Sequence, residues 1–331
     1  MKEYGGYIGI EAYGKEYFDT KILNADIVRL NAARFAIIEA IKSSGSQKLY
    51  VPIYMCKSVY DVLEKYDIHY EKYNIDNNFM PIVDSYDFKN DIILVTNYYG
   101  IQGYNFYNDN ISKYRNIIFD NTQSFFSPPV LRDNVYNVYS PRKFFGVPDG
   151  AYMIGERIRM LNELQQDHSL ERCIHLLKSL EYGTNGAYKD YLHSEESIDL
   201  SHPYRMSIIT RTMLKNIDYD VAYKKRAENF NFLKEQLRDI NELDLSNSNC
   251  VPMVYPLYFT SWNDDFRQYM VENKIYIPQW WKWVLNDENA NTFEHSLSTS
   301  LFPLPIDQRY TINDMDYILQ VVRNYKEKKW K

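Results

Sequence analysis

Apolar residues recur along the first half of the chain in two alternating periods. ARFAIIEAIKSS, from Ala33, repeats its apolar positions at helical spacing, KLYVPI, from Lys48, is a short apolar run of strand type, and SVYDVLEKY, from Ser58, is helical again. IHYEKYNI, DIILVTNYYG, RNIIFDN, VYNVYS and GAYMIG follow as short runs rich in β-branched or aromatic residues. Strands alternating with crossover helices predict an α/β protein with a mostly parallel sheet and helices on both faces. Such sheets place ligands at the carboxyl ends of their strands.

Beyond Glu156 the pattern predicts helices in IRMLNELQQ and CIHLLKSL, and then a polar loop over YGTNGAYKDYLHSEESIDLSHP, from Tyr182 to Pro203. SIITRTMLKNI and YKKRAENFNFLKEQLRDI read as two long helices. The tail alternates the strands VPMVYPLYF and KIYIP with a final helix in NDMDYILQVVRNY, which suits a small α/β domain. No internal repeat and no low-complexity linker interrupts this order.

Composition narrows the classes of function. The 331 residues suffice for a large domain plus a smaller one, and 45% apolar with 25% charged residues is ordinary globular composition. A net charge of -6, with no segment concentrating Lys and Arg, argues against a nucleic-acid partner. Cys56, Cys173 and Cys250 form an odd set of three without CxxC or metal-ligand spacing to the six histidines. That usage predicts a reducing, cytoplasmic setting and no metal centre. The N-terminus lacks an apolar leader, and no window holds the roughly 18 to 20 uninterrupted apolar residues of a membrane span. Tyrosine is abundant, at 32 residues. Aromatic ligand platforms and the codon bias of an AT-rich genome both account for it.

Two predicted strand ends carry polar residues that a purely structural sheet does not need. RNIIFDNTQSF ends its strand at Asp120 and places Gln123 three residues later, and VYNVYSPRK ends another at Ser140 and places Lys143 three residues later. A buried acid and a buried amine at neighbouring strand ends suggest a polar ligand or a covalent cofactor. Pyridoxal 5'-phosphate has a use for each group. Its aldehyde needs a primary amine, which Lys143 supplies, to form a Schiff base. Its ring withdraws electrons only while the pyridine nitrogen is protonated, and a desolvated carboxylate such as Asp120 holds that proton. Ser140 can donate to the phosphate, Gln123 can bond the phenolic oxygen, and the backbone amides opening NAARFAIIEAI offer a helix N-terminus to the same phosphate. The same residues also admit plain structural roles: a solvated Lys143, Asp120 as a helix cap, Ser140 as a turn residue before Pro141, and Arg142 as a surface cation.

The order of segments resembles the DegT/StrS-type family of pyridoxal-phosphate-dependent sugar aminotransferases. RLNAARFAIIEAI is similar to the family's phosphate-binding helix start, YVPIYMCKSVYDVL to its strand and turn, and TNYYGIQG to its HxFG element. IIFDNTQSFF resembles the strand end bearing the ring-nitrogen aspartate, and YSPRKFFGVPDGA the Schiff-base segment, with a serine three residues before the lysine and then a glycine-bearing turn. PYRMS, RAENFNFL, IYIPQWW and LPIDQRY resemble later signatures in the same order.

The resemblance implies a three-layer, fold type I architecture. Residues 1–215 would form the large cofactor-binding domain and residues 216–331 a small C-terminal α/β domain. It further implies a cytoplasmic homodimer with active sites shared between subunits, and transfer of an amino group from glutamate or glutamine to a nucleotide-linked keto-deoxysugar in surface polysaccharide biosynthesis. Lys143 and Asp120 would be catalytic, and Ala32, Ala33, Tyr54, Cys56, Gln123 and Ser140 would join them around the cofactor. His202, Tyr204 and Arg205 are candidate substrate contacts, and Trp280, Trp281 and Trp283 either stack on a sugar or seal the small domain.

Three positions depart from the family pattern. Ala32-Ala33 replaces the expected hydroxyl-plus-glycine pair, Cys56 stands where relatives stack an aromatic, with Tyr54 as a nearby substitute, and Pro203 replaces an asparagine offered to the partner subunit's phosphate. At about 1 kcal/mol per lost neutral hydrogen bond, these changes would weaken cofactor affinity by roughly tenfold or more without removing the lysine. A degenerate relative that binds or regulates without efficient turnover is the alternative, since fold alone does not assign activity.

Overall fold

A computed structural model of the chain describes residues 4, 6–87, 89–102, 109–160, 163–198, 202–246, 248, 251–261 and 263–329. Cys250 lies outside the described residues. After α1 (Tyr17–Lys21), the strands β1 (Asp26–Leu30), β2 (Lys48–Pro52), β3 (Tyr70–Ile75), β4 (Pro81–Ile82), β5 (Asp91–Thr96), β6 (Ile117–Asp120), β7 (Val135–Tyr139) and β8 (Ala151–Gly155) form one sheet in the order β1-β8-β7-β6-β5-β2-β3-β4. The pairs from β7 through β6, β5 and β2 to β3 are parallel, and the outer pairs are antiparallel. Every residue of β5, β6, β7 and β8 is buried, as a sheet covered on both faces requires.

Strand parity divides the core into layers. Ile92 and Leu94 of β5 pack with α2 (Ala33–Ser44) and α3 (Lys57–Lys65) on one face, through Phe35, Ile38, Val62 and Leu63. Ile93 and Val95 face the other way and join a cluster that reaches Phe230, Leu257, Phe302 and Val322 near the C-terminus. Those residues belong to a second unit: α7 (Tyr219–Gln236), β9 (Tyr255–Tyr258), α8 (Phe266–Glu272), α9 (Thr292–Ser300), β10 (Leu301–Leu304) and α10 (Ile312–Lys329), with β9 and β10 paired antiparallel. The expected mainly parallel sheet, its two helical layers and the small α/β unit are all present.

Three segments differ from their sequence patterns. IRMLNELQQ is irregular where described, apart from an isolated bridge at Gln166, because its backbone groups find partners elsewhere: Ile158 N donates to Asp26 Oδ2, Arg159 N to Ser43 Oγ, and Gln165 O accepts from Arg205 N. Tertiary pairing thus overrides its helical period. The stretch from Tyr182 is largely helical where a loop was expected. Helix α4 (Ile174–Gly186) runs into it with a kink at Gly183 (φ 72°, ψ 171°), and α5 (Tyr188–Glu196) folds back beside it. Lys178 Nζ binds both oxygens of Asp190, at 2.8 and 2.9 Å, and ties the pair into a hairpin. KIYIP is not a strand, since the chain leaves α8 through a tight turn in which Ile275 N donates to Met270 O.

Candidate active site

Parallel register brings the chemistry together. Thr96, Asp120 and Val138 are aligned across β5, β6 and β7, so the chain leaves the carboxyl ends of three neighbouring strands at one level. A cavity of about 180 Å³ opens there. Asp120, Gln123, Ser140 and Lys143 line it from the strand ends, Ala32 and Ala33 from the first turn of α2, and Cys56 from the N-terminus of α3.

Asp120 is 7% exposed and accepts a 2.9 Å hydrogen bond from Thr122 N, which fixes its carboxylate in the cavity floor. Lys143 closes a short 3-10 turn, Pro141–Lys143, that follows Ser140 and lifts the lysine away from the sheet. The turn makes Lys143 an exposed residue, not the buried amine its flanking sequence suggests. Its Nζ donates to Thr122 Oγ1 at 3.1 Å, so one threonine touches the acid through its backbone and the amine through its side chain. Phe144, directly after the lysine, is braced from the C-terminal unit: its carbonyl accepts from Gln308 Nε2 at 2.8 Å and from the buried Arg226 at 3.3 Å.

Two glycines let these loops approach. Gly100 (φ 75°) would place a Cβ 2.7 Å from the Gln123 carbonyl, and Gly150 (φ 120°) lines the cavity with Pro141, Thr210 and Met206 within 3.3 Å of where its Cβ would be. Beside Gly150, Asp149 is fully buried and accepts from Ser207 N at 3.1 Å, Ser207 Oγ at 3.0 Å and the Thr210 hydroxyl. Burial raises its pKa against these hydrogen bonds, and the network anchors α6 (Ile208–Lys215) beneath the site.

Gln123 lines the cavity, but its Oε1 already accepts from Tyr99 N at 2.7 Å, which leaves its amide NH2 as the donor for a ligand. Tyr54 is not a wall of the cavity. It lies in the core at 0% exposure, its hydroxyl 2.9 Å from that of Tyr99, because the chain bends inward after β2; burial raises its pKa. The aromatic wall is Trp281, whose ring packs edge-on against Tyr54 at 4.4 Å. Trp280 stacks on Tyr99, and Trp283 donates its Nε1 to Met55 O at 3.0 Å; neither reaches the cavity.

His202, Tyr204 and Arg205 also lie elsewhere. Their segment pairs alongside β1, with Tyr204 O accepting from Asn31 N at 2.9 Å and a bridge between Leu30 and Arg205. His202 and Tyr204 line a separate cleft with Glu39 and Lys42, and Arg205 another with Arg29 and Arg211. Pairing against an edge strand carries them away from the Lys143 cavity of their own chain. Sequence reasoning also passed over Arg34, Thr122 and Glu195, which do line it. Arg34 sits one residue beyond the alanines already singled out, whereas Glu195 lies in the stretch read as a loop.

No family model and no curated protein sequence matches this chain. Solved structures do. A DegT/DnrJ/EryC1/StrS aminotransferase from Brucella abortus is 14% identical, with 94% of this chain and 88% of that one covered and a TM-score of 0.60. The sugar aminotransferase CalS13 from Micromonospora echinospora is 10% identical over 90% of this chain and 87% of its own, also at 0.60. A Bacillus subtilis protein solved with pyridoxamine phosphate as bound cofactor is 12% identical over 90% and 73%, at 0.57. The architecture built above from strand register and layer packing is therefore the fold of the DegT/StrS-type sugar aminotransferases.

Proposed function

We propose that the protein is a pyridoxal 5'-phosphate-dependent aminotransferase that transfers an amino group from glutamate or glutamine to the keto carbon of a nucleotide-linked deoxysugar, in surface polysaccharide biosynthesis. The observation that carries the reading is the convergence of the Lys143 amine and the buried Asp120 carboxylate on one cavity at the carboxyl ends of parallel strands. The fold shared with sugar aminotransferases supports the class of substrate.

The residues present suit such a cofactor. Arg34 Nε and Arg142 Nε are buried side-chain donors without a hydrogen-bond partner, and both residues line the cavity with the first turn of α2, a set of donors fit for a phosphate. Ala32 and Ala33 bring no side-chain donor. When bound, the cofactor supplies an electron-withdrawing ring that stabilises negative charge on the carbon next to the transferred nitrogen. Asp120 would hold a proton on the ring nitrogen as its counter-charge. Lys143 Nζ would hold the cofactor by its aldehyde and carry a proton at the substrate carbon, and Thr122 Oγ1 orients that amine. Gln123 and Ser140 would supply side-chain hydrogen bonds to the cofactor, and Trp281 lines the cavity and excludes water from part of it.

The functional unit in this proposal is a homodimer. Lys143 is exposed in the single chain, and helix α4 has no buried residue, presenting Leu177 and Leu180 outward. A second copy covering that apolar face would bury it. The test is a titration of purified protein with pyridoxal 5'-phosphate, followed by visible absorbance. The proposal expects a protein-bound chromophore that bleaches on addition of glutamate or glutamine and is missing in Lys143→Ala. A chromophore of equal strength in Lys143→Ala would contradict it.

A further inference from the structure

We infer that Arg34 and Arg142 form a two-guanidinium clamp for a phosphoryl group, and that Glu195 occupies this clamp as a built-in competing anion that the ligand must displace. The clamp rests on the proposed function only for the identity of the molecule carrying the phosphoryl group. Arg34 stands in the first turn of α2, where Nη2 donates to Ile198 O at 3.1 Å while Nε, buried, has no partner. Arg142 stands beside Lys143, where Nη2 pairs with Glu195 Oε1 while Nε, also buried, has no partner. All three side chains line the cavity that contains Lys143.

Arg132 and Arg172 also carry a buried, unpaired Nε, but Arg34 and Arg142 are the two such arginines that line one shared cavity, where each unpaired donor forgoes a hydrogen bond it would make in water. Here two guanidinium groups share a cavity whose described carboxylates are Glu195 and Asp120, and Asp120 is already engaged with Thr122 N. Burial lowers the pKa of Arg34, and the neighbouring Arg142 cation lowers it further, so the two charges feel each other. A tetrahedral dianion with three acceptor oxygens would relieve that repulsion and satisfy both free Nε–H groups.

Glu195 is the movable member. It sits in the last turn of α5, and its side chain is 41% exposed against 18% for Arg142. A ligand that must displace Glu195 binds with an apparent affinity reduced by the fraction of clamps that are open. Glu195→Gln, which keeps the shape and removes the charge, therefore opens the clamp.

The test uses calorimetric titration of the full chain with inorganic phosphate, a nucleoside diphosphate, pyridoxal 5'-phosphate and pyridoxal. Glu195→Gln should bind inorganic phosphate about threefold to tenfold more tightly than the wild type. Arg34→Gln and Arg142→Gln should each bind it about tenfold more weakly, the scale of one charge-assisted hydrogen bond. Arg34→Lys should recover part of the loss, which separates lost charge from a damaged fold. If the phosphoryl group is the cofactor's, both Gln variants will also lose the preference for pyridoxal 5'-phosphate over pyridoxal. If it is the substrate's, they will lose nucleoside diphosphate affinity after saturation with pyridoxal 5'-phosphate. Phosphate affinity unchanged in Glu195→Gln and in both arginine variants would overturn the clamp, even with a cofactor on Lys143. A clamp that responds as described in a protein that never takes up pyridoxal 5'-phosphate would leave the clamp standing and remove the proposed function.

Discussion

Trp281 holds a backbone conformation of φ 51°, ψ 46°, a left-handed region that a bulky side chain enters at a cost of about 1–2 kcal/mol. Its packing on Tyr54 offsets that cost and aims the ring into the cavity. Trp281→Ala should weaken pyridoxal 5'-phosphate binding by roughly fivefold to tenfold, the scale of one aromatic contact, and lower Tm by a few degrees. Cofactor titration beside thermal denaturation reads both effects. At this scale the sequence was informative where a residue follows a strand. Asp120, Gln123, Ser140 and Lys143 all line the cavity as their positions after β6 and β7 suggest, and Ala32, Ala33 and Cys56 join them from two helix starts. Tyr54 and Trp281 exchanged roles because neither a bend toward the core nor a positive φ leaves a trace in hydrophobic period. The exposure of Lys143 was hidden for a similar reason, since its apolar neighbours Phe144 and Phe145 are buried by the same 3-10 turn that turns the lysine outward.

Helices α1 and α6 and strand β1 are joined through one carboxylate. Glu16 is fully buried at the N-terminus of α1 and accepts from Arg29 Nε at 2.7 Å, Arg211 Nε at 2.8 Å and the Tyr152 hydroxyl at 2.9 Å. Burial alone would raise its pKa, but the two guanidinium hydrogen bonds outweigh it and hold the carboxyl below its ordinary value of 4.5. A depressed carboxylate pKa contributes stability that is fully present above the unfolded value and is lost as pH falls through the folded one. Glu16→Gln should therefore cost about 2–4 kcal/mol at pH 7, because two arginines lose their buried counter-charge. In urea denaturation the gap between wild type and variant should narrow as pH is lowered below about 4.5; a gap that is constant with pH would contradict the assignment. Elements were legible in the sequence where a local apolar run decides them, as in α2 and the fully buried β5. They were misread where long-range partners decide, as in IRMLNELQQ beside Arg205, or where two short helices lean on each other rather than on the core, as in the α4–α5 hairpin.

Taken as a whole, the molecule buries a core continuous from Tyr50 to Tyr325 yet leaves apolar side chains outside it, Tyr7, Ile8 and Ile10 near the N-terminus and Leu177 and Leu180 on α4. The homodimer proposed above would cover both patches. Sedimentation equilibrium should give twice the chain mass, dilution should lower Tm, and Leu180→Glu should shift the balance toward the monomer. A monomer at all accessible concentrations would contradict the shared site. The chain's ordered motifs pointed to this fold although no family model or curated sequence matches it. The proposed function depends on Lys143 being the covalent attachment point, and borohydride reduction of the purified, cofactor-loaded protein followed by peptide mass spectrometry tests that directly. The account predicts a pyridoxyl group on Lys143 alone; an unlabelled Lys143, or label spread over other lysines, would contradict it.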